Sequence, residues 1–322
     1  MITAAFTAYK LFKGLRVLFN QFVLGKLFGP ALDLKKLGKW AGKNYSGQLK
    51  VFLFFILSPV VTGATDGIGL AYAKQLAERG IPIVLVSRSQ EKLDKCAREI
   101  EQKYHVETKT IAFDFTKPYD SYGAVKKGLA GLEVGFLLNN VGIGVDPIRL
   151  TETPNCEKVL NDICHVNALS AAMMTYYVLP GMMQRRKGAI VNNASFSAYI
   201  PVPFMSVYPA TKSFVDYFSR GMSMECASHG IFVQSLMPHF VQTKILNNND
   251  PPSLFRPSPE SFCRSAIGTV GRAERTFGYF PHHILSWLAD MLGEKVVFEM
   301  LRKEFMNVRS KTLKKLGVAP QD

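Results

Sequence analysis

From residue 60 onward, short apolar runs alternate with longer stretches of helical periodicity. The apolar runs predict strands with the sequences IVLVSR, TIAFDF, FLLNNVG, AIVNNAS and FVQSLMP. The periodic stretches predict helices near residues 91–104, 120–130, 156–184 and 207–228. Because strands that are apolar throughout are covered on both faces, the alternation predicts an α/β fold with a doubly wound parallel sheet. Ligands of such sheets bind at the carboxyl ends of the strands.

The first strand is preceded by an unusually apolar stretch, VFLFFILSP, at residues 51–59. The eleven residues from Val51 to Val61 are too few to span a bilayer. Pro59 has no amide proton to donate to a neighbouring strand, so we expect the strand to begin near Val60. The stretch is interpreted either as an insertion that contacts a membrane or as a retained non-coding segment of the gene, and the sequence leaves both open.

The amino-terminal segment has the pattern of an amphipathic helix. Its cations Lys10, Lys13 and Arg16 fall on one side of such a helix. Much of the remaining surface is covered by aromatic and aliphatic residues: Phe6, Leu11, Phe12, Leu15, Phe19 and Phe22. The charge-free runs are shorter than the ~18 to 20 apolar residues of a usual span, and no small-residue cleavage site follows an apolar core. The pattern therefore predicts an anchor that lies in the membrane interface.

Charge is concentrated at the two ends of the chain. The 322 residues carry a net charge of +14, and residues 1–50 and 301–322 together supply twelve of these charges. The nearly neutral middle argues against a nucleic-acid groove across the folded domain. Basic ends are attracted to an anionic membrane face, although a pair of solvated tails is the alternative interpretation.

Hydrophobic and cysteine content narrow the class of protein. With 48% hydrophobic residues, the chain can bury one large core. The five cysteines include no Cys-x-x-Cys pair and are odd in number. This pattern argues against a disulfide framework and against a zinc site, and it fits a reducing, cytosol-facing location.

A tyrosine and a lysine four residues apart carry the strongest candidate chemistry. Tyr208 and Lys212 share one face of a predicted helix, and Ser195 lies thirteen positions before the tyrosine. A phenol ordinarily titrates near ~10, so it exchanges protons poorly at neutral pH. An adjacent ammonium favours the ionised phenol, and we expect it to lower the pKa of the phenol. Because such pairs also arise on ordinary amphipathic surfaces, the interpretation needs a second signal.

The second signal is the sequence VVTGATDGIGLAYAKQLAERG, which predicts a strand, a glycine turn and a helix. Its glycines Gly63, Gly67 and Gly69 have the spacing Gly-xxx-Gly-x-Gly. Glycines permit a tight turn and let the backbone approach a pyrophosphate, whose charge is favoured by the unpaired amides at the start of the helix. The turn therefore indicates a bound dinucleotide.

Four motifs in this order resemble those of the short-chain dehydrogenase/reductase family: Thr-Gly-xxx-Gly-x-Gly, Asn-Asn-Ala-Gly, a serine, and Tyr-xxx-Lys. The second motif reads Asn139-Asn140-Val141-Gly142 here. Valine replaces alanine as in the branch of 17β-hydroxysteroid dehydrogenases and very-long-chain 3-oxoacyl-CoA reductases, and the similarity covers roughly residues 60–310. It implies a Rossmann-type single domain at the endoplasmic-reticulum membrane, with the catalytic domain facing the cytosol.

The resemblance also implies roles for individual residues. Tyr208 would give a proton to the substrate oxygen, Ser195 would bind that oxygen, and Lys212 would contact the ribose of the cofactor. Asn167 would hold a water in a proton relay toward the lysine, and no metal would be required. The expected cofactor-binding residues are Thr62, Gly63, Thr65, Asp66, Gly67, Ile68, Gly69, Arg88, Asp114, Asn140, Gly142, Tyr208, Lys212, Val241 and Thr243.

Arg88 bears on the choice of cofactor. It closes the second predicted strand, where enzymes that use NAD place an acidic residue against the ribose hydroxyls. An arginine suits the 2′-phosphate of NADP instead, so NADP(H) is the expected cofactor. An ordinary surface arginine is the alternative interpretation.

These observations predict an enzyme that reduces the ketone of a lipid. A very-long-chain 3-oxoacyl-CoA is favoured because its anionic head suits the basic ends, and a 17-ketosteroid is the alternative. Two interpretations from other classes are a catalytically silent binding protein of the same fold and a nucleic-acid-associated protein, for which no motif is present. The oligomeric state stays open, a homodimer included.

We expect a substrate pocket built from loops near residues 143–155, 196–206 and 244–258 and from the apolar sequence FGYFPHHILSWLADML. The apolar sequence is expected to cover a long chain or touch lipid, or else to pack against the core. Its histidines His282 and His283 are interpreted as surface or capping residues rather than ligands.

The expected organisation is one catalytic domain with two flanking regions. The domain follows a membrane-associated segment and the apolar insertion, and a substrate-covering region with a basic tail follows the domain. The bounds of these four parts are residues 1–50, 51–59, 60–275 and 276–322.

Overall fold

The computed structural model describes residues 14–17, 19–23, 58–246 and 251–320. Its centre is a sheet of parallel strands in the order β3-β2-β1-β4-β5-β6-β7. The strands are β1 (Val60–Thr62), β2 (Ile83–Ser87), β3 (Thr108–Ala112), β4 (Phe136–Asn139), β5 (Gly188–Asn193), β6 (Ile231–Leu236) and β7 (Arg275–Thr276). The predicted Rossmann-type doubly wound sheet is confirmed.

The strand order reverses beside β1. From β1 the chain moves outward through β2 and β3, and it then returns to add β4 on the other side of β1. Every residue of β1 and β4 is buried, as the continuous apolar runs predict. The carboxyl ends of β1 and β4 meet at the reversal point, which is where sheets of this kind bind ligands.

Helices cover both faces of the sheet. Leu76, Leu93 and Phe262 belong to the core on one face, and Val125, Met174 and Met222 belong to the core on the other. The helices are α1 (Gly67–Ala77), α2 (Gln90–Tyr104), α3 (Gly123–Leu129), α4 (Cys156–Cys164), α5 (Ser170–Arg185), α6 (Val207–Ala227), α7 (Pro259–Ile267), α8 (Phe280–Leu292) and α9 (Glu294–Leu316).

Two predicted helices differ from the observed ones. The stretch predicted as one helix over 156–184 consists of α4, a π-helical turn at His165–Leu169, and α5. The helix predicted over 120–130 begins with a 3-10 turn at Tyr119–Tyr122 and continues as α3. The short strand β7 and the helices α7, α8 and α9 have no counterpart among the predicted elements.

The first strand begins directly after Pro59, as expected for a residue that has no amide proton. The carbonyl of Pro59 accepts a hydrogen bond from the amide of Val84 (2.8 Å), and the amide of Ser58 donates to the carbonyl of Glu133 (3.1 Å). The residue that has no amide proton therefore stands just before β1, and the expected start near Val60 is confirmed. Residues 51–57 lie outside the described residues. The structure therefore does not test whether this stretch is an insertion or a non-coding segment.

Part of the amino-terminal segment packs against α8. The side chain of Gln21 is buried and accepts a hydrogen bond from the hydroxyl of Thr276 (2.7 Å). The ring of Phe22 meets those of Phe280 and His283 edge to face. The rest of the predicted anchor, residues 1–13, 18 and 24–50, lies outside the described residues. Within the part of the chain that the structure describes, no helix is both long and apolar enough to cross a bilayer.

Candidate active site

The turn after β1 requires glycine for two different reasons. Gly63 and Gly67 have φ angles of +64° and +52°, a region that disfavours side chains. Gly69 is needed for space, because a Cβ there would lie 2.2 Å from the carbonyl oxygen of Gly63. The helix α1 then begins at Gly67, whose amide donates to the side chain of Asp66 (2.8 Å). This cradle of backbone amides at a helix start fits a pyrophosphate.

A network of hydrogen bonds joins the glycine turn to the ends of β4 and β5. The buried hydroxyl of Thr62 accepts hydrogen bonds from the amides of Asn140 (2.9 Å) and Val141 (3.1 Å). The side-chain amide of Asn140 donates to the carbonyl of Thr62 (3.1 Å), and its oxygen accepts from the side chain of Asn193 (2.9 Å). The predicted residues Thr62, Gly63 and Asn140 therefore lie together.

The Tyr-Lys pair lies beside this network. Lys212 is 4% exposed, and its ammonium donates to the carbonyl oxygen of Asn193 (2.8 Å). The same ammonium is 5.9 Å from the ring centroid of Tyr208. The hydroxyl of Ser195 lies beside the phenol of Tyr208. A Cβ on Gly142 would lie 3.5 Å from the Lys212 ammonium, so the lysine is close to the backbone after β4.

The proton affinities of the pair differ from the sequence-based expectation. Burial raises the pKa of Tyr208, and the neighbouring Ser195 hydroxyl opposes that shift. Burial also lowers the pKa of Lys212 to about 8. The expectation of a lowered Tyr208 pKa is therefore wrong for this arrangement, because removal of the phenol from water outweighs the contact that favours its ionised form.

Asn167 lies in the π-helical turn His165–Leu169. Its oxygen accepts from the amide of Ile143 (2.8 Å), and its side-chain nitrogen donates to the carbonyl of Ile143 (2.9 Å) and to the hydroxyl of Thr211 (3.3 Å). π-Helical turns often occur at functional sites because the extra residue redirects a side chain. These contacts hold Asn167 between Ile143, which follows Gly142, and Thr211, which precedes Lys212.

The ends of β2 and β3 lie next to the glycine turn. The hydroxyls of Thr65 and Ser87 are 2.9 Å apart, and Arg88 follows Ser87 with its side chain exposed. The amide of Phe113 donates to the carbonyl of Ser87 (2.9 Å), which places the partly buried Asp114 beside the same edge. The geometry therefore gathers the residues expected to hold the adenosine half of the cofactor.

The segment after β6 closes the other side of the turn. Val241 is buried, and a Cβ on Gly67 would lie 3.0 Å from the methyl carbon of Thr243. The exposed ammonium of Lys244 pairs with the carboxylate of Asp66 (2.8 Å). Asn193, Ser87 and Lys244 are members of the site that sequence reasoning missed. Ser87 and Asn193 are the last residues of β2 and β5, and Lys244 directly follows Thr243. These positions in the sequence were the signal that could have identified them.

The histidines of α8 are core residues, so their interpretation as surface or capping groups is wrong. His282 and His283 are 0% and 8% exposed. The amide of Phe277 donates to Nε2 of His283 (3.1 Å), and Nδ1 of His282 accepts from the amide of His239 (3.3 Å). Burial lowers the pKa of His282 to about 4 and that of His283 to about 3. Both are buried as neutral rings because backbone groups satisfy their nitrogens.

The carboxyl-terminal helices contact all three loops expected to surround the substrate. Nε2 of His282 on α8 lies 3.3 Å from the carbonyl oxygen of Phe255. The hydroxyl of Tyr199 donates to the carboxylate of Asp290, also on α8. The guanidinium of Arg309 on α9 pairs with the carboxylate of Glu152. These ties place α8 and α9 against the loops rather than against solvent alone.

The fold and the site together define a dinucleotide-dependent oxidoreductase. A nucleotide cradle lies at the reversal point of the sheet, and a pair of neighbouring hydroxyls with a buried lysine lies next to it. A family model described as short chain dehydrogenase matches residues 59–253. The chain belongs to the short-chain dehydrogenase family.

Curated relatives share much of the sequence. A very-long-chain 3-oxoacyl-CoA reductase of Anas platyrhynchos is 46% identical, covering 80% of this chain and 82% of the relative. The protein of the same name from Mus musculus is 41% identical, covering 98% of this chain and 95% of the relative. The one from Homo sapiens is 45% identical over 80% of this chain and 82% of its own length.

Solved structures with bound nucleotide share the fold. A short-chain dehydrogenase from Sphingobium yanoikuyae in complex with NADPH is 28% identical, with a TM-score of 0.63, covering 78% of this chain and 95% of that one. An L-sorbose reductase from Gluconobacter frateurii, complexed with NADPH and L-sorbose, is 25% identical, with a TM-score of 0.59, covering 70% and 98%.

Proposed function

We propose that the protein uses NADPH to reduce the ketone of very-long-chain 3-oxoacyl-CoA. The observation that carries the proposal is the neighbouring side chains of Ser195 and Tyr208 beside the buried Lys212. Two hydroxyls held together can grip one carbonyl oxygen, with one as a hydrogen-bond donor and the other as a proton donor. This is the arrangement that reduction of a ketone to an alcohol requires.

The residues around the glycine turn fit NADP(H). The turn can pack tightly against the start of α1 because Gly69 lacks a side chain, and the exposed guanidinium of Arg88 lies at the edge that would face the adenosine ribose. A guanidinium matches a phosphate with paired donors and keeps its charge at every physiological pH. Val241 and Thr243 are proposed to line the nicotinamide end. Bound NADPH supplies the hydride that reaches the carbonyl carbon.

The chain's own residues move the proton. Tyr208 donates its phenolic proton to the developing alkoxide, and Ser195 holds the same oxygen by a hydrogen bond. Lys212 stabilises the phenolate that remains, because its ammonium is the nearby cation. Asn167, fixed by Ile143 and Thr211, is proposed to position a water that returns a proton toward the lysine.

The choice of substrate is supported by the names of the relatives and by the covering helices. Relatives between 41% and 46% identical are named very-long-chain 3-oxoacyl-CoA reductases. Residues 276–322 are proposed as a substrate-covering region, since α8 and α9 contact the loops around residues 152, 199 and 255. A long acyl chain needs such an apolar cover, whereas a small polar ketone does not.

The test compares two ketones with the purified full-length protein. NADPH consumption is measured with a very-long-chain 3-oxoacyl-CoA and with a 17-ketosteroid, each over a range of concentrations. We expect kcat/KM to favour the acyl-CoA by at least about tenfold, which corresponds to ~1.4 kcal/mol of transition-state binding. A preference for the steroid would reassign the substrate, and no consumption with any ketone would favour a silent binding protein.

We further propose that the protein lies on the cytosolic face of the endoplasmic-reticulum membrane. Leu15 and Phe19 of the amino-terminal segment and Leu288, Met291 and Leu292 of α8 are exposed apolar side chains, and the segment packs on α8. An apolar surface next to basic sequence suits an anionic lipid interface.

Vesicle flotation tests membrane binding. The protein is expected to float with vesicles containing phosphatidylserine, and Phe19→Asp should reduce the floating fraction severalfold because a carboxylate resists burial in the interface. A Phe19→Asp variant that floats like the parent protein would contradict the assignment of this surface.

A homodimer is the proposed assembly. Phe214, Tyr217 and Met224 occur at helical spacing on α6 and are exposed, as is Tyr176 on α5. Large exposed apolar side chains on two contacting helices are typical of a self-complementary interface. Light scattering of the detergent-purified protein should give about twice the chain mass of 35.9 kDa, and Met224→Asp should shift the mass toward the monomer. A monomeric parent protein would refute the assembly.

A further inference from the structure

A narrow apolar cleft lies between two of the loops next to the candidate active site. One wall comes from the loop after β4 and the other from the residues that lead into α6, while α4 closes the bottom. Val207, the last residue of the second wall, immediately precedes Tyr208. The cleft encloses about 30 Å³, room for only one or two waters. The apolar lining includes Ile148, Leu150, Val159, Leu160, Met205 and Val207.

Arg309 of α9 contacts both walls. Its guanidinium donates Nε–H to Oε2 of Glu152 (2.9 Å) and Nη2–H to Oε1, so that the pair is bidentate. The same guanidinium lies over the ring of Phe204, 5.6 Å from its centroid. Glu152 belongs to the first wall and Phe204 to the second. One side chain from a distant helix therefore fixes the separation of the two walls.

The buried environment makes this contact strong. The side chain of Glu152 is 0% exposed and that of Arg309 is 14% exposed, so water screens the pair little. Oε2 of Glu152 also accepts from the amide of Arg149 (2.9 Å), which fixes the loop backbone as well as the side chain. A bidentate arginine pair of this kind restricts both distance and orientation.

The second wall carries backbone strain that such a contact can sustain. Phe204 has a φ of +63°, which is uncommon for a large side chain. Residues in this region persist where the surroundings over-determine them, and they cluster at ligand-binding positions. The guanidinium packed on the ring is one of the contacts that hold Phe204 there.

We propose that Arg309 is a positioning residue that holds the two walls at a fixed separation, and that the first carbons of the acyl chain beyond the reacting ketone pass between these walls. The inference rests on the proposed function. The lining is apolar, as an alkyl chain requires, and it ends one residue before Tyr208. Two walls held at a fixed separation admit an extended acyl chain. A chain in any other position would displace the ketone from the hydroxyls of Ser195 and Tyr208.

The test replaces Arg309 with lysine and measures two acyl-CoA substrates. Arg309→Lys keeps the charge beside Glu152 but removes the two-pronged contact and the planar group over Phe204. We expect the KM for a long-chain 3-oxoacyl-CoA to rise about tenfold, because its alkyl chain loses apolar contact with the displaced walls. The KM for acetoacetyl-CoA, whose acyl chain ends one carbon beyond the ketone and does not pass between the walls, and the KM for NADPH should stay within about twofold of the parent protein.

Two further variants keep the test sharp. Arg302→Lys is the matched control, because Arg302 is on the same helix but pairs with the exposed Glu299 and should change neither KM. Phe204→Gly removes the ring from the second wall and suits the positive φ, so it should raise the long-chain KM without straining the backbone.

The outcomes separate this inference from the proposed function. Equal changes for both acyl-CoA substrates, or no change for either, would overturn the role of Arg309. If the parent protein reduces neither substrate, the proposed function fails, and hydrogen exchange then tests the positioning role alone. Faster exchange of residues 148–152 and 204–207 in Arg309→Lys, but not in Arg302→Lys, supports it, and unchanged exchange refutes it.

Discussion

Tyr208→Phe is expected to lower turnover by about 10³- to 10⁴-fold, because general acid catalysis by one positioned group contributes up to this amount. The substitution removes the oxygen that lies beside the Ser195 hydroxyl and leaves the ring in place. Binding of NADPH should change little, since the glycine turn and the ammonium of Lys212 are untouched. The measurements are kcat from NADPH consumption and Kd from quenching of NADPH fluorescence.

Tyr119→Phe serves as the control for this prediction. Tyr119 is 71% exposed in the 3-10 turn before α3, so loss of its hydroxyl should alter neither constant. If the turnover of Tyr208→Phe stays within tenfold of the parent protein, the phenol of Tyr208 is not the proton donor. Loss of NADPH binding with turnover would instead point to a disturbed nucleotide site.

Arg88→Glu is expected to change which cofactor the protein prefers. A carboxylate facing the 2′-phosphate costs several kcal/mol, so kcat/KM with NADPH should fall by about 100-fold or more. The carboxylate can accept hydrogen bonds from the ribose hydroxyls of NADH, so activity with NADH should be kept or improved. The ratio of kcat/KM for the two cofactors, measured with one ketone, reports the change.

Arg98→Glu, which makes the same change of charge at another position, is the control for Arg88→Glu. Arg98 is exposed on α2, and a general effect of lower positive charge would appear in both variants. An unchanged NADPH-to-NADH ratio in Arg88→Glu would make Arg88 an ordinary surface residue. Arg98→Glu should leave the ratio within about twofold, because water and salt screen a solvent-exposed charge on this helix.

The central sheet could be predicted because its signal is local. Each buried strand is an apolar run of a few residues, and the turn at Gly63 and Gly67 is marked by glycines that the backbone conformation requires. By contrast, β7 is only two residues long, and α8 is amphipathic with histidines on its buried side. A two-residue strand has too little pattern to be recognised.

The parts of the site that sequence reasoning missed depend on tertiary contacts. The spacing of Tyr208 and Lys212 predicts neighbours on a helix, but it carries no information on how deeply they are buried, and burial decides the direction of both pKa shifts. His283 contradicts its predicted exposure because backbone and side-chain groups from β7 onward satisfy its ring. The pairing of Glu152 with Arg309 joins positions 157 residues apart.

The Arg309 contact has a genetic consequence. A reading frame that ended before position 309, and so lacked at least the last fourteen of the 322 residues, would leave every recognisable motif intact. It would nevertheless strip a fully buried carboxylate of its counterion and release the two walls beside the reacting centre. Nonsense mutations at this end of the open reading frame should therefore be classed with mutations of buried residues, and not with the loss of a dispensable tail.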